Sequence, residues 1–493
     1  MKSVIVIGSG FAGLSSAAFL AKAGYDVTVL EKNDSLGGRA RVWETEGFKF
    51  DMGPSWYWMP DVFERYFKSF GYHVSDLYEL VRLDPSYRVV FGPNDHEDQS
   101  ANMAELEAMF DRLDPGSSKR LRKFLAEAAY KYEVGIKDLV HKPSRSLLEF
   151  ADFRILKGLF QLDLLKDMRK HVAEVSTHPK LKAIMEFPVL FLGALPQNTP
   201  ALYSLMNYAD MSMGTWYPQG GMHKIIEAMV KVAKEQGVKF RTKAEVKGFK
   251  YSGDKIVGVL TKTGGFSADI VVAGADYHHI DQEVSEEGRR EYSKQYWDKR
   301  KMAPSSLLYY LGIKGEVPNV LHHNLFFDHE LDQHAAELYT HPQWPTKPLF
   351  YASAPTKTDT SIAPEGCENM FLLMPTAPGL AGDSEEVREK YYNIMMDRLE
   401  QFTGSSIRDR VVVKRSFAYS DFKSEYNSFK GNAYGLANTL DQTAILKPRL
   451  KSKKISNLYF SGQLTTPGPG VPPTLISGEV VSKEIAKNFK LKE

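Results

Sequence analysis

The sequence predicts an α/β fold with one domain built on a parallel sheet and a discontinuous second domain of the α+β class. Three observations predict it. A β-branched run opens the chain and leads into clustered glycines, a second alternation of strand and helix begins near residue 220, and the segments between lack such motifs but are rich in aromatic residues, methionine and leucine. Short apolar strands alternating with helices are typical of parallel sheets. The 493 residues suffice for two or three lobes.

The composition is that of a globular protein. Hydrophobic residues make up 43% of the chain and charged residues 25%, and a net charge of +2 gives no reason to expect a nucleic-acid partner. Cys367 is the single cysteine, which excludes an intrachain disulfide and fits a reducing compartment. The first apolar run is too short for a signal peptide, and residues 187–195 fall far short of the roughly 20 residues that span a bilayer. We therefore expect a cytoplasmic protein that does not cross a membrane.

The first 31 residues carry a dinucleotide-binding fingerprint. The run SVIVI predicts a strand, and Gly8, Gly10 and Gly13 follow it in G-x-G-x-x-G spacing at the start of a helix. Gly8 allows the tight turn, Gly10 lets the backbone approach a pyrophosphate, and Gly13 lets helix and strand pack closely. Glu31 ends the second strand, where it can accept a hydrogen bond from a ribose hydroxyl. The spacing predicts a Rossmann-like domain with the pyrophosphate at the helix N-terminus.

The residues that follow distinguish FAD from NAD. The sequence NDSLGGRARV places Gly37, Gly38 and Arg39 within eight residues of Glu31, and a predicted strand then ends in the DMGP sequence of residues 51–54. This pattern resembles that of the flavin-containing amine oxidase and carotenoid desaturase superfamily. The resemblance implies a non-covalently bound FAD, with Arg39 near its diphosphate and the flavin edge.

Further segments extend the resemblance to nearly the whole chain. They are residues 83–91, 193–221, 301–313, 354–378, 420–435 and 457–479. With the FAD motifs, they make the chain similar to the bacterial-type phytoene desaturases, a family of FAD-dependent carotenoid desaturases. The APEGC and NAYG segments are the most discriminating, because many flavoproteins share the glycine fingerprint.

The resemblance also predicts the residues that hold the cofactor. It implies that Val246 contacts the adenine through its backbone. In the stretch TTPGPGVPPT, glycines permit close approach of the backbone, and a helix starting near Thr474 would direct its N-terminal N–H groups at the flavin pyrimidine edge. The predicted set is Gly8, Ser9, Gly10, Ala12, Gly13, Glu31, Lys32, Gly38, Arg39, Gly53, Pro54, Ser55, Val246, Gly462, Gly470, Val471 and Pro472.

Some positions depart from the family pattern. Thr466 stands where the C-terminal loop of the family commonly has a histidine, and Pro473 stands at its last glycine, which bears on the exact reaction or substrate. Glu149 matches an acid of some relatives and is the candidate catalytic base, although Leu148 and Asp152 stand where that pattern has arginines. The alternative is that Glu149 is a solvated acid.

We expect both domains to be discontinuous. The FAD-binding domain comprises residues 1–85, 216–299 and 431–493, and the substrate-binding, membrane-contacting domain comprises residues 86–215 and 300–430. Trp56, Tyr57 and Trp58 closely follow the DMGP sequence, and we predict that they form the wall of a substrate tunnel near the flavin. Core packing beneath the flavin is the alternative.

Residues 147–172 predict contact with a membrane surface. Phe153, Leu156, Phe160 and Leu164 recur at steps of three or four residues, and lysines and arginines flank them. An apolar stripe edged by cations fits a helix that lies in a membrane interface, whereas an ordinary core-facing helix is the alternative. The prediction is peripheral association with the inner face of the membrane, where a substrate dissolved in lipid would be collected.

The resemblance implies an enzyme that introduces carbon–carbon double bonds into a long apolar polyene by hydride transfer to flavin, with oxygen or a quinone as electron acceptor. It implies phytoene as substrate, with 1-hydroxycarotenoid 3,4-desaturation as the alternative within the family. The APEGC and NAYG segments disfavour an amine or protoporphyrinogen oxidase, and the intact fingerprint disfavours a non-catalytic prenyl-binding protein similar to GDP-dissociation inhibitors. His223, His278 and His279 lack metal-ligand spacing, so no metal site is predicted.

Overall fold

The computed structural model describes residues 1–146, 149, 166–190 and 193–491. The strands, numbered in chain order, are β1 (Ser3–Ile7), β2 (Asp26–Leu30), β3 (Val42–Thr45), β4 (Phe48–Asp51), β5 (Leu80–Arg82), β6 (Tyr87–Gly92), β7 (Asp95–Gln99), β8 (Trp216–Pro218), β9 (Lys239–Arg241), β10 (Val246–Ser252), β11 (Lys255–Thr261), β12 (Gly264–Ser267), β13 (Ile270–Ala273), β14 (Ser305–Lys314), β15 (His323–Phe326), β16 (Phe350–Ser353), β17 (Cys367–Thr376), β18 (Val411–Phe417) and β19 (Leu458–Phe460).

The α-helices of five or more described residues are α1 (Phe11–Lys22), α2 (Pro60–Lys68), α3 (Met103–Leu113), α4 (Ser117–Tyr132), α5 (Met168–Ala173), α6 (Pro179–Leu190), α7 (His223–Glu235), α8 (Lys294–Asp298), α9 (Leu331–Tyr339), α10 (Glu385–Thr403), α11 (Tyr419–Tyr426) and α12 (Val471–Asn488). Short π-helical segments lie at Glu133–Asp138, Tyr208–Ser212 and Ile280–Val284.

A parallel sheet in the order β19-β13-β1-β2-β9 carries the N-terminal motif. β1 is central because β13 and β2 pair with its two edges, and its residues Val4 and Val6 are fully buried. Such continuous apolar strands are typical of parallel sheets covered on both faces. The carboxyl ends of β1 and β2 therefore meet at one edge of the sheet, where Gly8 and Glu31 follow them. The predicted α/β fold class is confirmed.

A mixed sheet in the order β18-β14-β17-β16-β15-β6-β7 forms the second large layer. Its long strand β14 separates two cores, because alternate side chains point to opposite faces. Leu308 and Tyr310 join the core shared with the parallel sheet, whereas Leu307 and Tyr309 pack on the other face. Since this sheet unites strands from residues 87–99 with strands that follow residue 304, its residues are discontinuous in sequence; the domain boundaries stay a prediction.

The first and last helices of the parallel-sheet layer pack directly on each other. The Ser15 hydroxyl of α1 donates to the Leu475 carbonyl of α12 at 2.7 Å, and the Ser482 hydroxyl donates to the Ser16 carbonyl at 3.2 Å. A Cβ at Gly478 would lie 2.6 Å from the Ser15 Cβ, so this glycine permits the close approach of the two helices. The helix that carries the glycine fingerprint is therefore held by the C-terminal helix.

Candidate active site

A cavity of ≈ 710 Å³ is lined by residues of both sheets. One side is formed where β1, β2 and β13 end and β10 begins, and the other by residues of β14, β16 and β17. Residues 135–144, 202–206 and 438–445 contribute further lining. The volume lies in the range of about 300–1,000 Å³ that is typical of small-molecule sites.

The glycine fingerprint forms one wall of this cavity. A Cβ at Gly13 would collide with the Gly8 carbonyl oxygen, whereas a Cβ at Gly10 would meet no atom of the described residues within 4 Å. The Leu14 N–H donates to the Gly10 carbonyl at 2.9 Å, so the N–H groups before Leu14 have no partner inside α1. The helix N-terminus thus presents open donors and empty space, as an anionic diphosphate requires.

Glu31 lies beside the fingerprint with a buried carboxylate. Ser9 donates its N–H and its hydroxyl to Oε2, at 2.9 and 2.6 Å, and the Asn33 N–H donates to Oε1 at 2.9 Å. These bonds fix the carboxylate, and its remaining lone pairs can accept from a ribose hydroxyl. Lys32 also lines the cavity and donates from Nζ to Asn427 Oδ1 at 3.1 Å.

Arg39 places a buried cation in the same wall. Its Nη2 donates to the Ser428 hydroxyl at 3.0 Å and to the Asn432 carbonyl at 3.3 Å, and its guanidinium lies 5.4 Å from the centre of the Tyr426 ring. Burial lowers the pKa of Arg39 below its usual value, while the Asp276 carboxylate acts in the opposite direction. Its Nε is buried without a hydrogen-bond partner among the described residues. A buried unpaired donor near an open helix end fits a diphosphate.

Two more glycines bring the Arg39 segment against the fingerprint. Gly38 has a φ of +57°, and a Cβ there would lie 3.2 Å from the Gly10 Cα. A Cβ at Gly53 would collide with the Arg39 carbonyl oxygen. Val246 is buried, begins β10 and lines the cavity.

Most of the predicted cofactor residues meet in this one cavity. The residues that line it are Gly8, Ser9, Gly10, Ala12, Glu31, Lys32, Gly38, Arg39, Gly53, Pro54, Ser55, Val246, Gly470, Val471 and Pro472. Gly13 and Gly462 lie behind the lining. Gly13 packs α1 onto the turn after β1, and the Gly462 N–H donates to the Ser477 hydroxyl of α12 at 3.0 Å.

The proline-rich loop lines the cavity too, but the helix after it begins earlier than predicted. α12 starts at Val471, because the Thr474 N–H already donates to the Gly470 carbonyl at 3.0 Å. Pro472 and Pro473 therefore stand in the first turn, where a missing N–H removes no helical hydrogen bond. The predicted start near Thr474 is therefore wrong. Within the first turn, Val471 has a backbone N–H, whereas Pro472 and Pro473 have none.

The aromatic residues predicted for the tunnel separate into two groups. Trp56 and Trp58 line the cavity, and Trp58 Nε1 donates to the Thr215 hydroxyl at 2.8 Å. Tyr57 faces away: it is fully buried, and its hydroxyl lies 2.9 Å from that of Tyr78. Since neighbouring residues of an extended chain point to opposite sides, the position of Tyr57 corrects its assignment from tunnel wall to core packing.

An apolar part of the lining was not singled out from the sequence. It comprises Ile136, Leu139, Val140, Leu202, Leu205 and Met206. These side chains come from two segments far apart in the chain, and each segment alone is indistinguishable from ordinary core-facing helix. The signal available was only the enrichment in leucine, methionine and aromatic residues between the nucleotide motifs.

The candidate base Glu149 does not line the cavity. Its Oε1 accepts from the Arg145 N–H at 3.2 Å, and the Arg145 guanidinium lies 3.5 Å from the same oxygen. A catalytic role for Glu149 stays a prediction. Phe153, Leu156, Phe160 and Leu164, predicted to contact a membrane, lie outside the described residues.

The described part of the chain lacks a membrane-spanning helix and a cluster of metal-binding side chains. No helix there is both long and apolar enough to cross a membrane. The same residues contain no group of three or more histidine, cysteine, aspartate or glutamate side chains that could hold a metal ion.

A buried polar pair supports the proline-rich loop from behind. Lys447 Nζ donates to Asn438 Oδ1 at 2.7 Å, and a Cβ at Gly468 would lie 2.9 Å from this amine. Burial lowers the pKa of Lys447 to about 7. Asn438 lines the cavity, whereas Lys447 does not.

Comparison with known proteins gives the family. The family profile described as "Flavin containing amine oxidoreductase" matches residues 11–486. The chain is 40% identical to a carotenoid 3,4-desaturase of Haloarcula japonica over 99% of both chains, and 30% identical to a zeta-carotene-forming phytoene desaturase of Myxococcus xanthus over 98% of this chain and 94% of the other.

Solved structures show the same fold at low identity. An oxidoreductase from Methanosarcina mazei aligns with a TM-score of 0.63 at 17% identity, over 98% of this chain and 100% of the other. Putrescine oxidase bound to putrescine aligns with a TM-score of 0.64 at 14% identity, over 99% of both chains. These likenesses concern the fold alone. The whole-chain matches, together with a cavity lined by the dinucleotide fingerprint, show that the chain belongs to the flavin-containing amine oxidoreductases, within the carotenoid desaturases of that family.

Proposed function

We propose that the protein is an FAD-dependent carotenoid desaturase that introduces carbon–carbon double bonds into a long apolar polyene. The observation that carries the proposal is the continuity of one cavity, whose lining passes from the glycine fingerprint to Trp56 and on to an apolar surface. A substrate without polar groups at its reacting carbons must be oriented by such a surface. The curated relatives named above act on carotenoids, which supports the same substrate class.

The residues present fit a non-covalent FAD. Glu31 would accept from the ribose, the N-terminus of α1 and Arg39 would hold the diphosphate, and Val246 would border the adenine. Cys367, the single thiol, begins β17 and does not line the cavity, which supports binding without a thioether link. When bound, FAD supplies the acceptor for the hydride.

The chain itself supplies orientation and exclusion of water. One apolar surface is formed by Trp56, Trp58 and the leucines of residues 202–205. A polyene would bind to it through dispersion contacts and the burial of apolar area. Because this tryptophan and leucine surface carries no charged side chain, a charged or small polar substrate would lose its hydration there without compensation. This favours a carotenoid over an amine.

A second candidate concerns the position of the new double bond. The identity of 40% to the Haloarcula 3,4-desaturase exceeds the 30% to the Myxococcus phytoene desaturase, with near-complete coverage of both. We therefore propose desaturation at the 3,4 position as the alternative to phytoene desaturation.

We further propose peripheral association with the cytoplasmic face of the membrane, and oxygen or a quinone as the final electron acceptor. Residues 135–144 line the apolar end of the cavity, and the stripe predicted for membrane contact begins directly after them in sequence. A substrate that leaves the lipid could enter the cavity at this end without crossing water.

The test is expression in cells that accumulate either phytoene or 1-hydroxylated carotenoids, followed by pigment chromatography. We expect a new pigment with a longer conjugated system in one of the two hosts, and the host identifies the substrate. The Gly10→Val variant is the control, since its side chain fills the space left for the diphosphate. Flavin-containing protein that changes no pigment, but releases hydrogen peroxide with amines, would contradict the proposal.

A further inference from the structure

Tyr351 lines the cavity beside Ser55, a predicted cofactor residue, and Trp56, a predicted tunnel residue. It belongs to β16, is buried, and lines the cavity together with Ser55, which directly follows Pro54. Burial raises the pKa of the Tyr351 phenol, while the Ser353 and Ser55 hydroxyls act in the opposite direction. The phenol therefore carries its proton at neutral pH and is a polar group in a largely apolar wall.

Behind Tyr351 lies a fully buried histidine. The Tyr351 hydroxyl is 2.6 Å from Nδ1 of His323. The contact follows from the sheet register: Leu325 of β15 pairs with Tyr351, and His323, two residues away, points to the same face. Burial holds the pKa of His323 well below 6.5, so the ring is neutral and Nδ1 can accept the phenol proton. Its Nε2 is buried without a hydrogen-bond partner among the described residues.

Trp56 separates this imidazole from the cavity. The two rings stack with centroids 4.1 Å apart and an angle of 12° between their planes. Trp56 lines the cavity, whereas His323 does not. The indole covers the imidazole face, and Tyr351 is the cavity-lining residue whose hydroxyl contacts Nδ1 of the histidine.

We propose that Tyr351 is the catalytic residue that accepts the proton released in desaturation, and that His323 is its positioning residue and receives the phenol proton. The assignment rests on the proposed function. Desaturation removes a hydride and a proton from adjacent carbons. The second C–H bond breaks, its electron pair becomes the new π bond, and its proton goes to the Tyr351 oxygen. The phenol's own proton moves to His323 Nδ1, and bound FAD would supply the two-electron acceptor for the hydride.

A weak base is sufficient for this step. A C–H bond next to a carbon that is losing hydride becomes strongly acidic, so the position of the acceptor matters more than its basicity. A carboxylate in the same apolar wall would carry a large desolvation penalty in the resting enzyme, whereas the phenol and the imidazole are both neutral before the proton is transferred. Once the product has left, the imidazolium returns its proton to water by way of the phenol.

Other polar groups of the region fit the role less well. Tyr434 also lines the cavity, and the hydroxyl of Ser306 acts on its phenol; a hydroxyl is not a proton acceptor comparable to imidazole. The Lys447 amine donates to Asn438 and lies outside the lining. The pair of Tyr351 and His323 combines access to the cavity with a neutral nitrogen base.

The first experiment compares Tyr351→Phe and His323→Asn with matched controls in the FAD-loaded enzyme. Tyr309→Phe removes a buried phenol from the other face of the same mixed sheet, and His322→Asn removes the neighbouring buried imidazole, which contacts Thr358 instead. We expect Tyr351→Phe to lower kcat about 100-fold at unchanged KM and FAD content. The double variant should be no slower than Tyr351→Phe, because residues that act as a unit are not additive.

The second experiment measures an isotope effect that a purely structural role would not change. Substrate deuterated at the carbon that loses the proton should show a larger isotope effect in Tyr351→Phe than in wild type, because proton loss then limits the rate. Full activity of both variants, or a uniform slowing with an unchanged isotope effect, would overturn the assignment alone. A flavin-loaded wild type that desaturates no carotenoid would instead overturn the proposed function and this assignment with it.

Discussion

Gly10 and Gly13 illustrate, at the scale of single residues, how two glycines of one fingerprint serve different purposes. Gly13 has no room for a Cβ, because the Gly8 carbonyl oxygen occupies that space. Gly10 has room, and a side chain there would project into open space at the N-terminus of α1. Packing therefore requires Gly13, and we infer that a bound ligand requires Gly10.

We predict different defects for Gly13→Ala and Gly10→Ala. Gly13→Ala should destabilise the fold, by about 1–3 kcal/mol, because overpacking forces the backbone apart. Gly10→Ala should fold normally, since its φ of −70° suits any residue, but it should bind FAD weakly. Thermal unfolding and flavin absorbance of the purified proteins check both. Equal flavin content in Gly10→Ala and wild type would contradict the diphosphate site.

Arg39 leads to a second prediction at this scale. Arg39→Met removes a buried cation whose Nε has no partner among the described residues. The loss of one charge-assisted hydrogen bond, about 1.5–3 kcal/mol, should weaken FAD binding by roughly 10- to 100-fold. Titration of the apoprotein with FAD measures it. Arg41→Met is the control, because Arg41 pairs with Glu425 at 2.6 Å and does not line the cavity.

At the scale of elements, the π-helical segment Tyr208–Ser212 carries a buried acid outside the cavity lining. The Tyr87 hydroxyl donates to Asp210 Oδ2 at 2.8 Å, while Oδ1 has no partner among the described residues. Burial raises the pKa of Asp210 from 3.8 to about 7. The folded state therefore holds this proton more tightly than the unfolded state does.

This raised pKa predicts a pH-dependent effect of Asp210→Asn. The stability that the wild-type carboxyl contributes is fully present below pH 3.8 and is lost as the pH rises through about 7. The amide does not titrate, so the free energy of unfolding of Asp210→Asn relative to wild type should rise between about pH 4 and pH 7, by on the order of 1–4 kcal/mol, and then level off. Denaturant unfolding at a series of pH values checks this. A difference that stays constant with pH would show that Asp210 is ionised in the native state.

The start of α12 shows what local sequence reasoning could and could not provide. The fingerprint strand, turn and helix were correctly predicted, because each depends on residues close in sequence. The start of α12 was misplaced by three residues, since prolines in a first turn and prolines in a preceding loop look alike without the hydrogen bond from Thr474. Tyr57 was misassigned for a similar reason. The sequence shows that neighbouring side chains alternate between two sides, but it does not show which side faces the cavity.

At the scale of the whole molecule, the cavity depends on pairings between distant segments. β6 contributes to the same sheet as β14 to β18, although more than 200 residues separate them, and the contact of Tyr351 with His323 requires the register of two separate strands. No motif marks such pairings. Many residues of one cavity wall could therefore be predicted from local spacing and the family resemblance, whereas the apolar lining and the proposed proton acceptor could not.

Membrane association is a prediction for the whole molecule. We expect the purified protein to cosediment with anionic liposomes, because basic residues flank the apolar stripe that includes Phe160 and Leu164. Phe160→Asp and Leu164→Asp together should abolish sedimentation while leaving flavin content unchanged. Val412→Asp, at an exposed apolar residue elsewhere, is the control. Sedimentation that persists in the double variant would place the contact on another surface.

The packing of α1 against α12 has a consequence for how the protein is made. The Ser15 hydroxyl and the Leu475 carbonyl that it contacts are 460 positions apart, so the ribosome delivers Ser15 long before Leu475. A growing chain that already displays the glycine fingerprint still lacks the helix that covers Ser15 and Ala12. We therefore expect stable flavin loading to await α12, and we expect the uncovered face of α1 to favour aggregation until then. Translation arrested before Gly470 should yield protein without flavin that is prone to aggregate.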